Sequence, residues 1–103
     1  MALFQTKDIN AWLREMKSVP GAVLLDVREP DEYREARIPG SINLPLSQIG
    51  RAAGQFDPDT PIFVHCLSGG RSMQAARALQ TAGFRNVTNI GGINRYRGEI
   101  EKG

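Results

Sequence analysis

Pro61-Ile62-Phe63-Val64-His65-Cys66-Leu67-Ser68-Gly69-Gly70-Arg71-Ser72 joins a short apolar, β-favouring run to residues 72–82, where helix formers place alanine and leucine on one side. The stretch reads as a strand, a tight turn and a helix, with Cys66 at the turn. Gly69 and Gly70 let backbone N–H groups converge without Cβ atoms in the way. The start of the helix aims its unpaired amides and the positive end of its dipole at the same space. Such a turn is a pocket for an anion, and a thiolate is an anion. The turn is expected to lower the Cys66 pKa from about 8.5 toward about 7, a shift worth about 2 kcal/mol. One or two amide hydrogen bonds to a charged sulfur, with a helix dipole adding about 0.3–1 kcal/mol, supply that. Cys66 is the only cysteine in the chain, and the rival reading is a buried, inert thiol. A glycine-rich strand-to-helix turn is an odd site for simple core packing, which favours a nucleophile.

The rest of the chain reads as scaffold. Leu3 and Phe4 suggest a short edge strand, and Thr6 an N-cap for a helix whose Ile9, Trp12, Leu13 and Met16 share one face. Pro20-Gly21 breaks that helix. Ala22-Val23-Leu24-Leu25-Asp26-Val27 is the nearly all-apolar pattern of a strand covered on both faces. Pro30-Asp31-Glu32-Tyr33 opens a short helix, with proline and acids in its first turn. Ser41-Ile42-Asn43-Leu44 predicts a strand, residues 46–55 a helix, and Asn86-Val87-Thr88-Asn89-Ile90 a last strand. Gly83 is placed just past the end of the 72–82 helix. Gly91-Gly92 reads as a turn, and Ile93, Tyr96, Arg97 and Ile100 as a terminal helix. Strands alternating with helices imply an α/β domain with a mostly parallel sheet, whose ligands lie outside the carboxyl ends of the strands. Cys66, Asp26-Val27-Arg28 and Gly91-Gly92 all follow strands, so they are expected along one rim.

Composition narrows the function classes. The 103 residues fit one domain, residues 1–103, and 41% hydrophobic with 23% charged residues is ordinary for a globular protein. A net charge of +2 with no lysine or arginine run argues against nucleic acid as a partner. No basic leader or membrane-length apolar run is visible, so the expectation is a cytoplasmic protein with no membrane partner. One cysteine and one histidine leave no disulfide and no metal-ligand cluster, and no cofactor is expected.

Taken together, Leu25-Asp26-Val27-Arg28-Glu29-Pro30 with Glu32-Tyr33, then Ile38-Pro39-Gly40-Ser41-Ile42-Asn43, then Cys66-Leu67-Ser68-Gly69-Gly70-Arg71-Ser72, and finally Gly91-Gly92, resemble the single-domain sulfurtransferases of the rhodanese family. The resemblance spans most of the chain, from about Ala22 to Tyr96. It implies a rhodanese-like α/β fold, a central mostly parallel sheet flanked by helices on both faces, with Cys66 as nucleophile. It also implies thiosulfate sulfurtransferase activity: a small anionic sulfur donor, and cyanide, a thiol or a thioredoxin-like protein as acceptor. Two positions depart from the family pattern, Arg37 where many members carry histidine and Tyr96 where many carry tryptophan.

Individual residues divide into chemistry and support. Leu67, Ser68, Gly69, Gly70, Arg71 and Ser72 form the expected active-site loop and anion-binding segment. Arg71 opposes the helix dipole, so it either closes the loop by bonding its carbonyls or presents a guanidinium to an anionic donor. Ser72 is expected to cap the helix, while Ser68 is left open between capping and sulfur. Arg28, Arg37 and Arg95 are further candidates to draw in an anionic donor. His65 neighbours Cys66 on a strand and therefore points to the other face, which argues against a base. Asp26 and Arg28 share strand parity and are expected to pair as supporting residues. Trp12, Tyr33 and the three methionines read as core. Cysteine phosphatases and arsenate reductases resemble this design but place five residues between Cys and Arg, against four here. A persulfide carrier or regulatory binding module is the rival from outside enzymology.

Overall fold

The computed structural model describes residues 7–103, so the reading of Leu3, Phe4 and Thr6 lies outside the described residues. Helix α1 spans Ile9–Met16. It starts later than a Thr6 cap would place it, because the Asp8 carboxylate accepts the Ala11 N–H at 2.9 Å and satisfies an orphan donor of the first turn. Its apolar side, Ile9, Trp12, Leu13 and Met16, lies on one face of the sheet against Leu24, Phe63 and Ile90.

Strand β1 (Val23–Asp26) leads to helix α2 (Pro30–Glu35), the short β2 (Ala36–Arg37) and β3 (Ile42–Asn43). Proline in the first turn of α2 and a reciprocal capping box between Glu29 and Glu32 fix where that helix begins. Residues 46–55 depart from the expected single helix. A 3-10 segment, Leu46–Arg51, runs into a one-turn helix α3, Ala52–Gln55, with a break at Gln48. Gly50 and Gly54 weaken regular helix there, and Leu46 and Ile49 gain more from packing on the core than from helical geometry.

Strand β4 (Ile62–Cys66), helix α4 (Gly70–Thr81) and strand β5 (Val87–Gly92) complete the centre. The sheet is four parallel strands in the order β3-β1-β4-β5. Ala75, Leu79 and Phe84 cover its second face over Leu25, Val27 and Val64. Burying a leucine such as Leu79 contributes about 1.5–3 kcal/mol. Gly83, at φ +103°, ends α4 with the Phe84 N–H bonded to the Leu79 carbonyl at 3.0 Å and its own N–H to Gln80 at 3.1 Å.

Two expectations about the C-terminal part are overturned. Gly91-Gly92 is not a turn but the end of β5: a bulge shifts the register after Val64, setting His65 opposite Gly91 and Cys66 opposite Gly92. Residues 93–100 form no helix. A 3-10 turn, Ile93–Arg95, gives way to extended chain that reaches β6 (Glu101–Lys102), antiparallel to β2. Gly98 disfavours a helix here, and the Arg97 N–H bonds the Asn10 side chain at 2.9 Å instead of a helical carbonyl. Among the described residues no helix is long and apolar enough to cross a membrane.

Candidate active site

Cys66 is the last residue of β4, and strand parity directs it with Val64 toward α4. Gly69 caps α4 in a left-handed conformation, φ +109°, which a side chain would strain. That conformation turns the Gly69 N–H to the Cys66 sulfur at 3.0 Å. Ser72 is therefore not the cap. It lies inside the first turn, fully buried, with its hydroxyl 3.5 Å from the sulfur. Among the described residues the Ser68 hydroxyl makes no hydrogen bond, although the Ser68 backbone contributes to the cradle.

Only 1% of Cys66 is exposed. Burial pushes its thiol up, but the Ser72 hydroxyl and the backbone amides of Ser72, Gly69 and Ser68 outweigh burial and hold it below the ordinary thiol value. The donors, not exposure, set the acidity of this thiol. Gly92 backs the loop so closely that a side chain there would run into the Leu67 carbonyl and come within 2.6 Å of the Ser68 Cα. The Asn94 N–H fixes the same Leu67 carbonyl at 3.1 Å. Leu67, Ser68 and Gly70 form the exposed lip.

Arg71 is engaged by a side chain of α2 rather than by the loop carbonyls. Its guanidinium forms a two-point bridge to Glu32 of α2, at 2.7 and 3.0 Å. The Arg71 hydrogen bonds hold Glu32 at about 2, and the same bonds push Arg71 up. The bridge ties α2 to the first turn of α4 and offsets the Arg71 charge.

The opposite face of the same sheet end holds a different cluster. Asp26 is fully buried and Arg28 is 5% exposed. The Arg28 Nε lies 3.0 Å from both Asp26 oxygens, its Nη2 2.7 Å from Oδ2, and Nη2 also donates to the Ala36 carbonyl at 2.7 Å. Asn43 donates to the carbonyls of Asp26 and Arg28 at 2.9 and 3.0 Å. His65 sits there too, away from the sulfur, with Nδ1 3.2 Å from the Cys66 carbonyl and Nε2 3.7 Å from Asp26. Burial pushes His65 down more than Asp26 and the carbonyl raise it, so the imidazole stays neutral and the approach to Asp26 is not an ion pair. Asp26 and Arg28 consequently pin the ends of β1, β2 and β3 and touch nothing in the loop.

Several other residues settle into structure. Arg37 bridges Glu101 at 3.3 Å and lies over the Tyr33 ring, so its charge is engaged away from the loop. Tyr96 packs with the α1-side core. Trp12 meets Phe63 at a ring distance of 6.4 Å, and the Tyr33 hydroxyl donates to the Ser41 carbonyl at 2.5 Å. Met16 is core, Met1 lies outside the described residues, and Met73 is half exposed on α4, contrary to the reading of all three as core. A solvent-facing position in the first turns of α4 is why Met73 finds no core. Among the described residues no group of three or more His, Cys, Asp or Glu side chains is placed to hold a metal.

Two participants escape the sequence reading. Glu32 is separated from Arg71 by most of the sheet in sequence. Asn89 accepts from Ser72 at 2.7 Å and from the Gly91 N–H at 3.1 Å. The one signal for Asn89 is a polar side chain at the parity of Val87, on the face of β5 that meets the core.

Comparison with known proteins places these features in company. A putative sulfur carrier protein, YrkF of Bacillus subtilis, is 34% identical over 90% of this chain and 51% of its own length. Thiosulfate sulfurtransferase GlpE of Pseudomonas syringae is 38% identical over 75% of this chain and 74% of its own. A solved structure described as a rhodanese with anions from E. coli superposes with a TM-score of 0.73 at 32% identity, covering 80% of this chain and 99% of that one. The chain thus spans about half the length of the Bacillus relative, and 34% of a longer plant relative. The Rhodanese-like domain family itself matches residues 10–99. That match encloses the cysteine loop, the Glu32 to Arg71 bridge and all four parallel strands, and the chain belongs to the rhodanese-like domain family.

Proposed function

We propose that this chain is a thiosulfate sulfurtransferase that carries sulfane sulfur as a persulfide on Cys66, the loop from Leu67 to Ser72 forming the anion cradle. One observation carries the reading: a sulfur shut away from water is surrounded by hydrogen-bond donors that favour its anion. The Cys66 thiolate attacks the outer sulfur of thiosulfate. A sulfur–sulfur bond forms to Sγ, the bond to the sulfonate sulfur breaks, and sulfite leaves with the electron pair. A nucleophilic acceptor, cyanide or a thiol such as that of a thioredoxin-like protein, then attacks the terminal sulfur and the thiolate returns. The same amides face the thiolate before the transfer and the persulfide after it, and no general base is needed once the thiolate exists. His65, neutral and on the far face, has no part. A reducing cytoplasm, in which thiols persist, suits this chemistry.

A second reading, a persulfide carrier loaded by a partner protein, is favoured by the Glu32 to Arg71 bridge. The loop's one cation is already paired, which weakens the pull on a small dianion. A cysteine phosphatase fits less well, since four residues between Cys66 and Arg71 leave a cradle suited to one sulfur atom rather than a phosphoryl group with three equatorial oxygens. Intact-protein mass spectrometry separates these. Thiosulfate should add one sulfur atom, cyanide should remove it, and Cys66→Ser should abolish both. Loading by a protein persulfide but not by thiosulfate would leave the carrier; aryl phosphate hydrolysis without sulfur uptake would overturn both.

A further inference from the structure

The Ser72 hydroxyl has one proton and more acceptors than it can serve. Asn89 Oδ1 is nearest at 2.7 Å, the Gly69 carbonyl lies at 3.0 Å and the Gly91 carbonyl at 3.5 Å. The Gly69 carbonyl and Asn89 Oδ1 each accept one other N–H at 3.1 Å, from Met73 and Gly91, so the shorter 2.7 Å approach makes Asn89 the stronger claimant. The Asn89 amide is held oxygen-forward by the Gly91 N–H at 3.1 Å, so its acceptor is aimed before Ser72 arrives. While the proton lies toward Asn89, the Ser72 oxygen turns lone pairs to the sulfur and accepts the Cys66 S–H across 3.5 Å. A thiolate needs the reverse, a hydroxyl that donates.

We infer that Asn89 is a positioning residue for Cys66: by holding the Ser72 proton it makes that hydroxyl an acceptor toward sulfur, and ionisation of the thiol requires the hydroxyl to swing from Asn89 to Sγ. The inference rests on the proposed role of Cys66 as the nucleophile. When the thiol ionises, its proton leaves to solvent, the Ser72 to Asn89 bond breaks and a Ser72 to sulfur bond forms. Asn89 thereby sets how much thiolate stands ready, and Ser72 alone transmits its effect. The charged and titratable groups around the sulfur are otherwise fixed. Arg71 at the start of α4 is bridged to Glu32 of α2, and His65, Asp26 and Arg28 are turned to the other face of the sheet.

The test is the pH dependence of iodoacetamide alkylation. The sole cysteine gives a clean signal and no sulfur donor is involved, so a negative result is distinct from failure of persulfide formation. Asn89→Ala should lower the alkylation midpoint by about one unit, roughly tenfold more thiolate below the midpoint. In a Ser72→Ala background the same change should move it by less than about a third as much. No downward shift, or an equal shift in both backgrounds, overturns the inference. Should Asn89→Ala fail to fold by circular dichroism, Asn89→Asp keeps the shape and binds the proton more tightly. It should raise the midpoint, and by less without Ser72; an equal rise in both backgrounds overturns the inference equally.

Discussion

His65 and Cys66 leave the same strand in opposite directions, and both are shut away from water, at 0% and 1% exposure. Each departs from its ordinary pKa in the same direction, yet the outcomes are opposite. His65 has Nε2 without a hydrogen-bond partner, so burial wins and the ring is held neutral. Cys66 meets a hydroxyl and several amides, so burial loses and the sulfur is held toward its anion. The depth of a titratable group therefore says little about its chemistry. What decides is the set of donors and charges that burial brings with it.

The largest expected effect lies on the histidine face. Asp26→Ala leaves the Arg28 guanidinium buried with the Ala36 carbonyl as its remaining partner, and should lower stability by about 3–5 kcal/mol in urea unfolding. The Cys66 alkylation midpoint should stay in place. A midpoint that moved with Asp26 would show that the two faces are coupled and break the comparison.

Gly92→Ala acts on the other face. A methyl group there overlaps the loop backbone, and overpacking of this kind should lower stability by about 1–3 kcal/mol. Because the Ser68 and Gly69 amides are displaced with the loop, the Cys66 midpoint should rise toward that of a free thiol. Stability lost with an unchanged midpoint would mean that the backing glycine does not set the donor geometry.

The smallest effect concerns Glu32, whose folded pKa of about 2 lies below the ordinary 4.5. A depressed carboxylate stabilises the fold fully above its unfolded value, and that share fades as pH falls from about 4.5 toward 2. With about a third of both side chains exposed, solvent screening reduces the contribution to about 0.5–1 kcal/mol. Glu32→Gln should be less stable than the native chain by that margin at neutral pH, and the gap should close in acid. Urea titrations at several pH values check it. A gap that stays constant would assign the loss to packing rather than charge.

The sequence was informative where a requirement is local. Ala22 to Val27 reads as a doubly covered strand because its apolar run needs no knowledge of partners, and Gly83 marks its own helix end. The glycine turn at Cys66 shows its purpose through Gly69, whose conformation is a property of one residue. Legibility failed where a requirement is imposed from far along the chain. Ser72 looks like a cap, and only the approach of Asn89 and the sulfur shows otherwise. Arg71 gives no sign in the sequence of its bridge to Glu32, which only the packing of α2 brings beside it. Gly91-Gly92 mimics a turn because glycine is common in turns, whereas here the Cys66 loop needs a bare backbone to lie on. The spacing of Ile93, Tyr96, Arg97 and Ile100 mimics a helix, but the partners that take up this chain, Asn10 and β2, are distant in sequence.

The parallel sheet has a consequence for when chemistry becomes possible. Leu25 pairs with Ile42 and Val64, and Val64 with Asn89, so every ladder joins segments remote along the chain and is formed late relative to a hairpin. The loop after Cys66 rests on Gly92 and is fastened through Asn94, both supplied by the final parallel strand and the turn beyond it. A chain that has emerged only as far as α4 already carries the sulfur's donors, on Ser68, Gly69 and Ser72, but lacks the Gly92 and Asn94 backing that holds them in place. The proposed nucleophile therefore gains its full support only when β5 docks, and alkylation of Cys66 at mildly acidic pH during refolding should report that docking.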